Sequence, residues 1–338
     1  MSDRKLQFRA YRTGDKTAVI TLLSGGRSIS YASEKAAVFD WQFFGNPERK
    51  GRPAYLIGVL AEEVVAVNGF TPVTIKYRGK SELGCWSLDT YVSANHRGLG
   101  IGKALAELVS LSAPVMLGYG ISDMNDPILQ RLNWELDTSM SVMFYHSSEP
   151  GLLGLAKNVL SHVAQIKPAR PHDRRRQVTV EACPAVSELD TLWRRVEHQF
   201  ENAVQRTGSY ISWRYRDAPN HRYVWIVARS EGALKGLLII RHHPQESVIA
   251  DYLGPIDAPD LLLDLVASAR SVLTSAGTRR IRCETTCAAI KQALADTGFI
   301  RSRTTSRFRV RHNLPPASES DSSWFVMTGD SDNDLLTL

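Results

Sequence analysis

A chain of 338 residues with 43% hydrophobic residues is long enough for two ordinary globular domains. Its four cysteines are too few for a disulfide framework, and Cys283 and Cys287 have no second ligand pair nearby, so no zinc site is expected. The net charge of +6 comes without a nucleic-acid-binding signature, and neither a secretory signal nor a bilayer-spanning apolar run is visible, which predicts a cytoplasmic protein without metal, membrane span or nucleic-acid partner.

Helical and strand patterns alternate in the first half of the chain. Lys16–Leu23 is predicted to be a helix, because its apolar residues share one face and Asp15 precedes it as an N-cap. Trp41–Pro47 is rich in aromatic residues and ends in a turn. A short helix is predicted over Asn125–Leu132, with a proline in its first turn. Strands are predicted over Pro53–Leu60, Glu63–Val73, Leu83–Val92, Pro114–Ile121 and Thr138–Tyr145.

A glycine-rich turn connects the strand that ends at Val92 to an amphipathic helix. After Ser93–His96 the sequence continues as RGLGIGK over Arg97–Lys103, directly before the helix. The first N–H groups of a helix have no partner within it, and the helix dipole places partial positive charge there. Glycines let the backbone approach a ligand where a Cβ would collide. The stretch therefore favours binding of a phosphate group.

Several loop types share these features, and a plain turn into a helix is the structural alternative. A dinucleotide fingerprint needs Gly-x-Gly-x-x-Gly, whose third spacing is missing here. A P-loop needs Gly-Lys-Ser/Thr, whereas Ala104 follows the Gly-Lys pair. The pattern that is present, Arg-x-x-Gly-x-Gly at Arg97, Gly100 and Gly102, resembles the acyl-CoA pyrophosphate loop of the GNAT N-acyltransferase superfamily.

This resemblance implies that acetyl-CoA, or another acyl-CoA, is the cofactor. The loop N–H groups would hold the pyrophosphate, and the preceding strand would pair with the pantetheine amides. Asn125 matches a position that contacts the pantetheine arm in related proteins. The implied cofactor-binding residues are Thr90, Val92, Arg97, Gly98, Leu99, Gly100, Ile101, Gly102, Lys103 and Asn125.

The second half of the sequence echoes the first. Trp213–Pro219 repeats the Trp-x-aromatic pattern and the Trp-to-Pro spacing of Trp41–Pro47, and Asp251 stands where Asp89 stands in the first half. The glycine-rich loop does not recur, because Gly254–Leu261 lacks the motif and contains prolines, which have no N–H donor. Self-similarity of this length predicts a duplicated unit whose second copy does not hold a pyrophosphate in the same way.

The resemblance and the repeat together predict an α/β (α+β) fold of two GNAT-like domains in tandem, with mixed, mostly antiparallel sheets flanked by helices. This plan resembles a group of bacterial GNAT proteins. The acyltransferase domain with the acyl-CoA loop is placed at 1–150, and a degenerate GNAT-like domain at 179–313. Residues 151–178 are expected to form an amphipathic helix, packed on a domain or lying at a membrane surface, and a basic linker. A C-terminal tail follows at 314–338, frayed or folded back through Trp324.

Acyl transfer from a thioester to an amine needs a base for the amine and an acid for the leaving thiolate. In many GNAT enzymes a tyrosine is the acid, but the matching positions here are Leu129 and, in the second half, Leu294. Asp89 is the candidate base and Tyr119 the candidate acid. The alternatives are a structural role for the aspartate and a core position for the tyrosine. Strand N–H groups near Val92 are candidates for polarising the thioester carbonyl.

Three functions are open on this reading. The first is an acyl-CoA-dependent N-acyltransferase, in the first instance an acetyltransferase, acting on a small-molecule amine or amino sugar. The second is a transferase that uses aminoacyl-tRNA, against which the intact acyl-CoA loop argues. The third is a CoA-binding or scaffold protein without catalysis, which the missing tyrosine keeps open. A homodimer is also left open.

Overall fold

The computed structural model describes residues 5–25, 29–147, 176–220, 223–315 and 323–335. The predicted amphipathic helix Gly151–Ile166 and nearly all of the basic linker lie outside these residues. None of the helices described combines the length and apolar character needed to cross a bilayer. The chain divides into two compact units. The first takes its described residues from Met1–Thr138, Asp217–Asn220 and Arg307–Asp321, and the second from Ser139–Arg216, His221–Ser306 and Ser322–Leu338.

Strands and helices are interspersed along the described residues. The strands are β1 (Gln7–Ala10), β2 (Tyr55–Leu60), β3 (Glu63–Tyr77), β4 (Lys80–Val92), β5 (Val115–Tyr119), β6 (Glu135–Asp137), β7 (Ser141–His146), β8 (Arg176–Glu181), β9 (Asn202–Val204), β10 (Tyr223–Ser230), β11 (Ala233–Arg241), β12 (Glu246–Leu253), β13 (Arg280–Thr285), β14 (Ile300–Arg301), β15 (Phe308–His312) and β16 (Trp324–Phe325). The α-helices are α1 (Lys16–Leu23), α2 (Ile29–Phe43), α3 (Ile101–Ser110), α4 (Asp126–Arg131), α5 (Val186–Val196), α6 (Gly208–Ile211), α7 (Pro259–Ser275) and α8 (Ala288–Asp296).

The sheet of the first unit has the strand order β1-β2-β3-β4-β5-β15-β6. Its pairs are antiparallel except for β4 with β5, which are parallel. Most of β3 is buried on both faces, and its buried residues include the polar Asn68 and Thr71. The predicted mixed, mostly antiparallel sheet with flanking helices is confirmed.

Strands β4 and β5 separate at one end of this sheet. They pair from Gly84 opposite Val115 to Trp86 opposite Leu117, and over the described residues the pairing ends there. Strand β4 nevertheless continues to Val92 and β5 to Tyr119. The gap that opens between the two strand ends is called the first splay below. It leaves backbone hydrogen-bonding groups of β4 without a strand partner on that side, which a ligand can satisfy.

The two faces of this sheet carry different side chains. Cys85 and Met116 pack with α3 residues in one apolar cluster, in which Leu105 is fully buried. Because side chains alternate along a strand, Trp86, Tyr119 and Phe308 project from the opposite face. The rings of Trp86 and Phe308 lie 5.9 Å apart, which agrees with this assignment.

The second unit repeats the plan of the first. Its sheet has the order β14-β7-β13-β12-β11-β10-β8. An antiparallel pair, β10 with β11, precedes β12, and β12 runs parallel to β13, as β4 does to β5. The predicted plan of two units, each with a mixed sheet flanked by helices, is confirmed.

Two strands lie in a different sheet from the one that the predicted limits 1–150 and 179–313 imply. Strand β7, from the first half, pairs with β13 and β14 in the second unit. Strand β15, from the second half, lies between β5 and β6 in the first unit. The halves therefore exchange one strand each. An alternating pattern specifies which face of a strand is buried but not which sheet it joins, so sequence reasoning misses this exchange.

The C-terminal segment is part of the second unit. Strand β16 pairs in parallel with β9, and Trp324 and Phe325 are buried. The residues that follow, up to Leu335, are mostly buried as well, including the short helical turn Thr328–Asp330. Within the predicted tail 314–338, the stretch Trp324–Leu335 thus packs into the second unit, as the folded-back alternative predicts.

Candidate functional site

Strand β4 contains a bulge just before the glycine-rich loop. Gly69 of β3 faces Leu88, but Val67 faces Tyr91, so Asp89 and Thr90 share one position opposite Asn68. Asp89 takes a positive φ of 53°, which a non-glycine residue seldom adopts. A bulge of this kind bends the strand and redirects its side chains, and bulges are common beside active sites.

Hydrogen bonds to Asn68 hold this bulge in place. The fully buried amide oxygen Oδ1 of Asn68 accepts from Ser87 Oγ at 2.8 Å and from Thr90 Oγ1 at 2.6 Å. Its Nδ2 group donates to the carbonyl of Gly69 at 2.9 Å. Thr90, predicted to bind the cofactor, is therefore part of the network that shapes the strand. Sequence reasoning did not select Asn68, although an Asn-Gly pair within an apolar run was an available signal.

Asp89 lies in a buried ion pair on the face opposite α3. Its Oδ2 atom is 2.7 Å from Nζ of Lys35 and accepts a 2.6 Å hydrogen bond from the Tyr55 hydroxyl. The side chains of Asp89 and Lys35 are only 6% and 5% exposed. The described residues supply no hydrogen-bond donor to Oδ1 of Asp89. A buried carboxylate needs such partners, so Lys35 and Tyr55 fix the position of Asp89 and compensate for its burial.

Lys35 and Tyr55 were not among the predicted site residues. Lys35 lies on α2, and its Nζ is 5.4 Å from the ring centre of Phe43. The spacing Lys35, Phe39, Phe43 places all three on one face of a helix, and this signal was present in the sequence. The second unit has a comparable arrangement, since Asp251 binds Arg206 and Tyr215 at a bulge of β12.

The glycine-rich loop is open and its backbone N–H groups are unpaired. Within the described residues, no acceptor is found for the N–H groups from Gly98 to Lys103, whereas the N–H of Ala104 bonds the Gly100 carbonyl at 3.1 Å. Gly98 and Gly100 have φ values of 81° and 78°, and a Cβ on either would meet nothing within 4 Å. These glycines are therefore required by backbone conformation rather than by crowding. Consecutive unpaired N–H groups at a helix N-terminus form an anion site.

The side chains of the loop lie around its open side. Leu99 is 67% exposed, and Lys103 is 71% exposed with its nearest carboxylate, Glu107, at 3.7 Å. Arg97 donates from Nε to the Val92 carbonyl at 3.4 Å and lies 5.6 Å from the ring centre of Tyr91. Lys103 and Arg97 thus place positive charge beside the unpaired N–H groups.

Helix α4 follows the first splay on the β5 side. The Asn125 carbonyl accepts from the N–H groups of Ile128 and Leu129, so its backbone caps the helix. Arg309 of β15 donates to Asp126 Oδ1 at 2.7 Å, and this hydrogen bond holds the pKa of the Asp126 carboxyl below its usual value. Leu129, the position of the usual tyrosine acid, is buried in the apolar cluster. The structure thus offers no hydroxyl group at that position.

The remaining candidates for chemistry are few. Tyr119 is buried at the end of β5, on the same face as Trp86 and Asp89. Burial raises the pKa of the Cys85 thiol to about 12, so this cysteine is not a nucleophile. No group of three or more His, Cys, Asp or Glu residues in the described ranges is arranged to hold a metal ion.

Comparison with solved structures identifies the fold. A GCN5-related N-acetyltransferase from Anabaena variabilis aligns with a TM-score of 0.64 and 11% identity, over 91% of this chain and 73% of that one. Saccharomyces cerevisiae N-myristoyltransferase with bound myristoyl-CoA aligns with a TM-score of 0.60 and 12% identity, over 91% and 82%. A GCN5-related N-acetyltransferase from Kribbella flavida gives 0.58 and 12%, over 90% and 70%. No protein-family model and no curated protein matches the sequence. The chain has the GNAT fold.

Proposed function

We propose that this protein is an acyl-CoA-dependent N-acyltransferase of the cytoplasm, with acetyl-CoA as the donor and a small-molecule amine or amino sugar as the acceptor. The observation that carries the proposal is the run of unpaired N–H groups from Gly98 to Lys103 at the mouth of the first splay. This run fits a pyrophosphate, and the free side of β4 between Asp89 and Val92 fits the amide groups of a pantetheine arm. The N-myristoyltransferase that shares the fold binds an acyl-CoA.

The proposed reaction needs two proton transfers. The amine nitrogen attacks the thioester carbon, the C–S bond breaks, a base takes the N–H proton, and the CoA thiolate takes a proton from an acid. Asp89 is the base in this scheme, since Oδ2 holds Lys35 and Tyr55 while Oδ1 remains available. Tyr119 is the acid, since its hydroxyl lies on the same face of the sheet. Strand N–H groups near Val92 polarise the carbonyl.

The residues next to the first splay favour a short acyl group. Trp86 and Phe308 are almost fully buried there, and Tyr119 is next to Phe308 in the sheet. Three aromatic rings on this face of the sheet favour a short acyl chain over a long one, because protein interiors are close-packed. Acetyl-CoA is therefore proposed in preference to the myristoyl-CoA of the yeast relative.

The test is release of free thiol from a series of acyl-CoA donors, acetyl to myristoyl, over a panel of amines and amino sugars. Turnover is expected with acetyl-CoA and at least one amine, with rates that fall as the acyl chain grows. Turnover only with long donors would refute the short-acyl proposal, and no turnover with any pair, despite binding of CoA, would favour the second candidate.

That second candidate is a CoA-binding protein without catalysis, and Leu129 in place of the usual tyrosine favours it. The acyltransferase and the non-catalytic protein are both expected to bind CoA, whereas a tRNA-dependent enzyme is not. Calorimetry with CoA and with aminoacyl-tRNA therefore separates the first two candidates from the third. Binding of aminoacyl-tRNA without binding of CoA would contradict both.

A further inference from the structure

Strands β12 and β13 of the second unit separate as β4 and β5 do. They pair from Glu246 opposite Arg280 to Ile249 opposite Cys283, and β12 then continues to Leu253. The gap between their ends is called the second splay below. By the internal repeat it corresponds to the place where the first unit is proposed to bind the acyl-CoA arm.

The C-terminal segment Trp324–Leu335 occupies the second splay. On the β13 side, Met327 forms an antiparallel bridge with Thr285, and the N–H of Thr286 bonds the Val326 carbonyl at 3.1 Å. The N–H of Val326 in turn bonds Thr286 Oγ1 at 2.9 Å. The segment therefore uses backbone hydrogen bonds, as an added strand does.

The other side of the segment contacts the bulge of β12. A Cβ placed on Gly329 would lie 2.9 Å from the Ala250 carbonyl oxygen and 2.6 Å from the Tyr215 hydroxyl, so only glycine fits. The Tyr215 hydroxyl donates to Asp251 at 2.9 Å and contacts the Gly329 carbonyl at 3.3 Å. The segment thus fills the gap between both strands.

Two buried arginines bind carboxylates of the segment. Arg206 donates from Nη2 to Asp330 at 2.8 Å, and Arg214 binds both Asp334 and the Ser331 carbonyl. The Tyr223 hydroxyl also donates to Asp334, at 2.6 Å. Both arginines and both aspartates are almost completely buried. Buried charges of this kind are tolerated only when each is paired, so these positions recognise acidic side chains four residues apart.

Aromatic contacts hold the beginning of the segment. The ring centre of Phe325 lies 4.6 Å from that of Phe200, and the Arg206 guanidinium lies 4.4 Å from the Phe325 ring centre. The same arginine therefore binds the segment at an aromatic ring and at a carboxylate.

We propose that the second splay is a peptide-binding site, specific for a segment with an aromatic pair in a strand, then a helical turn, and aspartates four residues apart, and that Trp324–Leu335 is its resident ligand. The peptide-site proposal does not depend on the proposed acyltransfer activity. It adds one consequence for that activity, because a second splay filled by peptide cannot bind a second acyl-CoA.

The test separates the C-terminal segment from the rest of the folded chain, which is called the body here. A protease site is inserted within 316–322, the full chain is purified and cleaved, and exchange is followed with a fluorescent peptide of residues 323–335. The cleaved segment is expected to remain with the body on gel filtration and to be displaced by excess peptide. The labelled peptide is expected to bind the cleaved protein but not the uncleaved protein. A segment that dissociates at once and fails to rebind a body that remains folded would overturn the proposal.

Peptide variants test the specificity. The Asp334→Asn peptide is expected to bind at least about tenfold more weakly, a loss of about 1.4 kcal/mol. The Asp330→Asn peptide is expected to lose less, because burial raises the pKa of Asp330 and so favours its neutral form. Asn333→Ala is the matched control, because Asn333 contacts Arg282 only through its carbonyl group. Equal affinity of all four peptides would refute specific recognition.

A substitution in the intact chain gives an independent result. Gly329→Val is expected to expose the segment to proteolysis and to lower the midpoint of thermal unfolding, since its side chain collides with Tyr215 and the β12 backbone. Unchanged protection and an unchanged midpoint would show that the segment is not seated in the second splay.

Discussion

At the scale of single residues, the proposed function depends on backbone conformation more than on reactive side chains. Gly98 and Gly100 shape the proposed anion site by taking a left-handed conformation, and Asn68 and Lys35 fix the bulge and the aspartate beside it. The glycines could be recognised from sequence because their spacing is a local signal. Lys35 and Tyr55 are distant from Asp89 in the chain, so their roles became clear only from the fold.

Gly100→Val is expected to weaken acyl-CoA binding by at least about tenfold, because a left-handed residue with a Cβ costs about 1–2 kcal/mol and the loop will relax to avoid it. Gly79→Val is the matched control, since Gly79 has a φ of 75° and equally open surroundings in the turn between β3 and β4. Calorimetry with acetyl-CoA measures both. Equal affinity losses in the two variants would contradict the loop assignment.

Asp89→Asn is expected to lower kcat by about 10²- to 10⁴-fold if Asp89 is the base. Asp251→Asn is the control, because it disturbs the comparable cluster of the second unit. A stability loss in both variants with normal kcat would assign Asp89 a structural role.

At the scale of elements, most helices and strands could be predicted, but their partners could not. Lys16–Leu23 is a helix with the predicted bounds, and the strand ending at Val92 leads into the loop as expected. The strand exchange escaped prediction because β7 and β15 have ordinary strand patterns. Helix α2 is not among the predicted helices, since the sequence indicates only an aromatic-rich stretch and a turn over Trp41–Pro47.

The position of β15 predicts how the first unit can be isolated. Residues 1–150 alone are expected to lack a cooperative unfolding transition, because the strand between β5 and β6 is missing. Residues 1–138 joined by a flexible linker to 305–315 restore this strand and are expected to unfold cooperatively in urea. Cooperative unfolding of 1–150 alone would show that β15 is dispensable.

The C-terminal segment predicts a pH dependence of stability. Burial raises the pKa of Asp330 from 3.8 to about 6, with Asp251 adding to the shift while Arg206 and the Met327 N–H oppose it. The carboxyl group of Asp330 therefore binds its proton more tightly in the folded state than in the unfolded state. As a result, the contribution of Asp330 to the free energy of unfolding falls as pH rises from about 4 to about 6. The contribution is therefore larger at pH 5 than at pH 7.5, where it is close to zero.

Urea unfolding of the wild type and Asp330→Asn at the two pH values measures this contribution. The difference in unfolding free energy between the two proteins should favour the wild type more at pH 5 than at pH 7.5. The same difference at both values would mean that Asp330 titrates normally.

At the scale of the whole molecule, the two units of similar plan have splays that differ in content. The first ends at unpaired N–H groups with Arg97 and Lys103 beside them. The second contains the C-terminal segment and lacks the loop, since Gly254–Leu261 has two prolines. The repeat could be recognised from sequence, because its aromatic and aspartate positions recur. The occupation of the second splay could not be predicted from the sequence, because the segment that occupies it lies about seventy residues further along the chain.

This difference predicts one acyl-CoA per chain. Calorimetric titration of the intact protein with acetyl-CoA is expected to give a stoichiometry of one. Binding should weaken as salt is raised, since the site is cationic and the ligand is a polyanion. The Gly100→Val variant should show no second, weaker site at the same concentrations, because the second splay is occupied by peptide. A stoichiometry of two in the intact chain would mean that the C-terminal segment leaves its site for the cofactor, and both the peptide site and the single-site enzyme would then have to be abandoned.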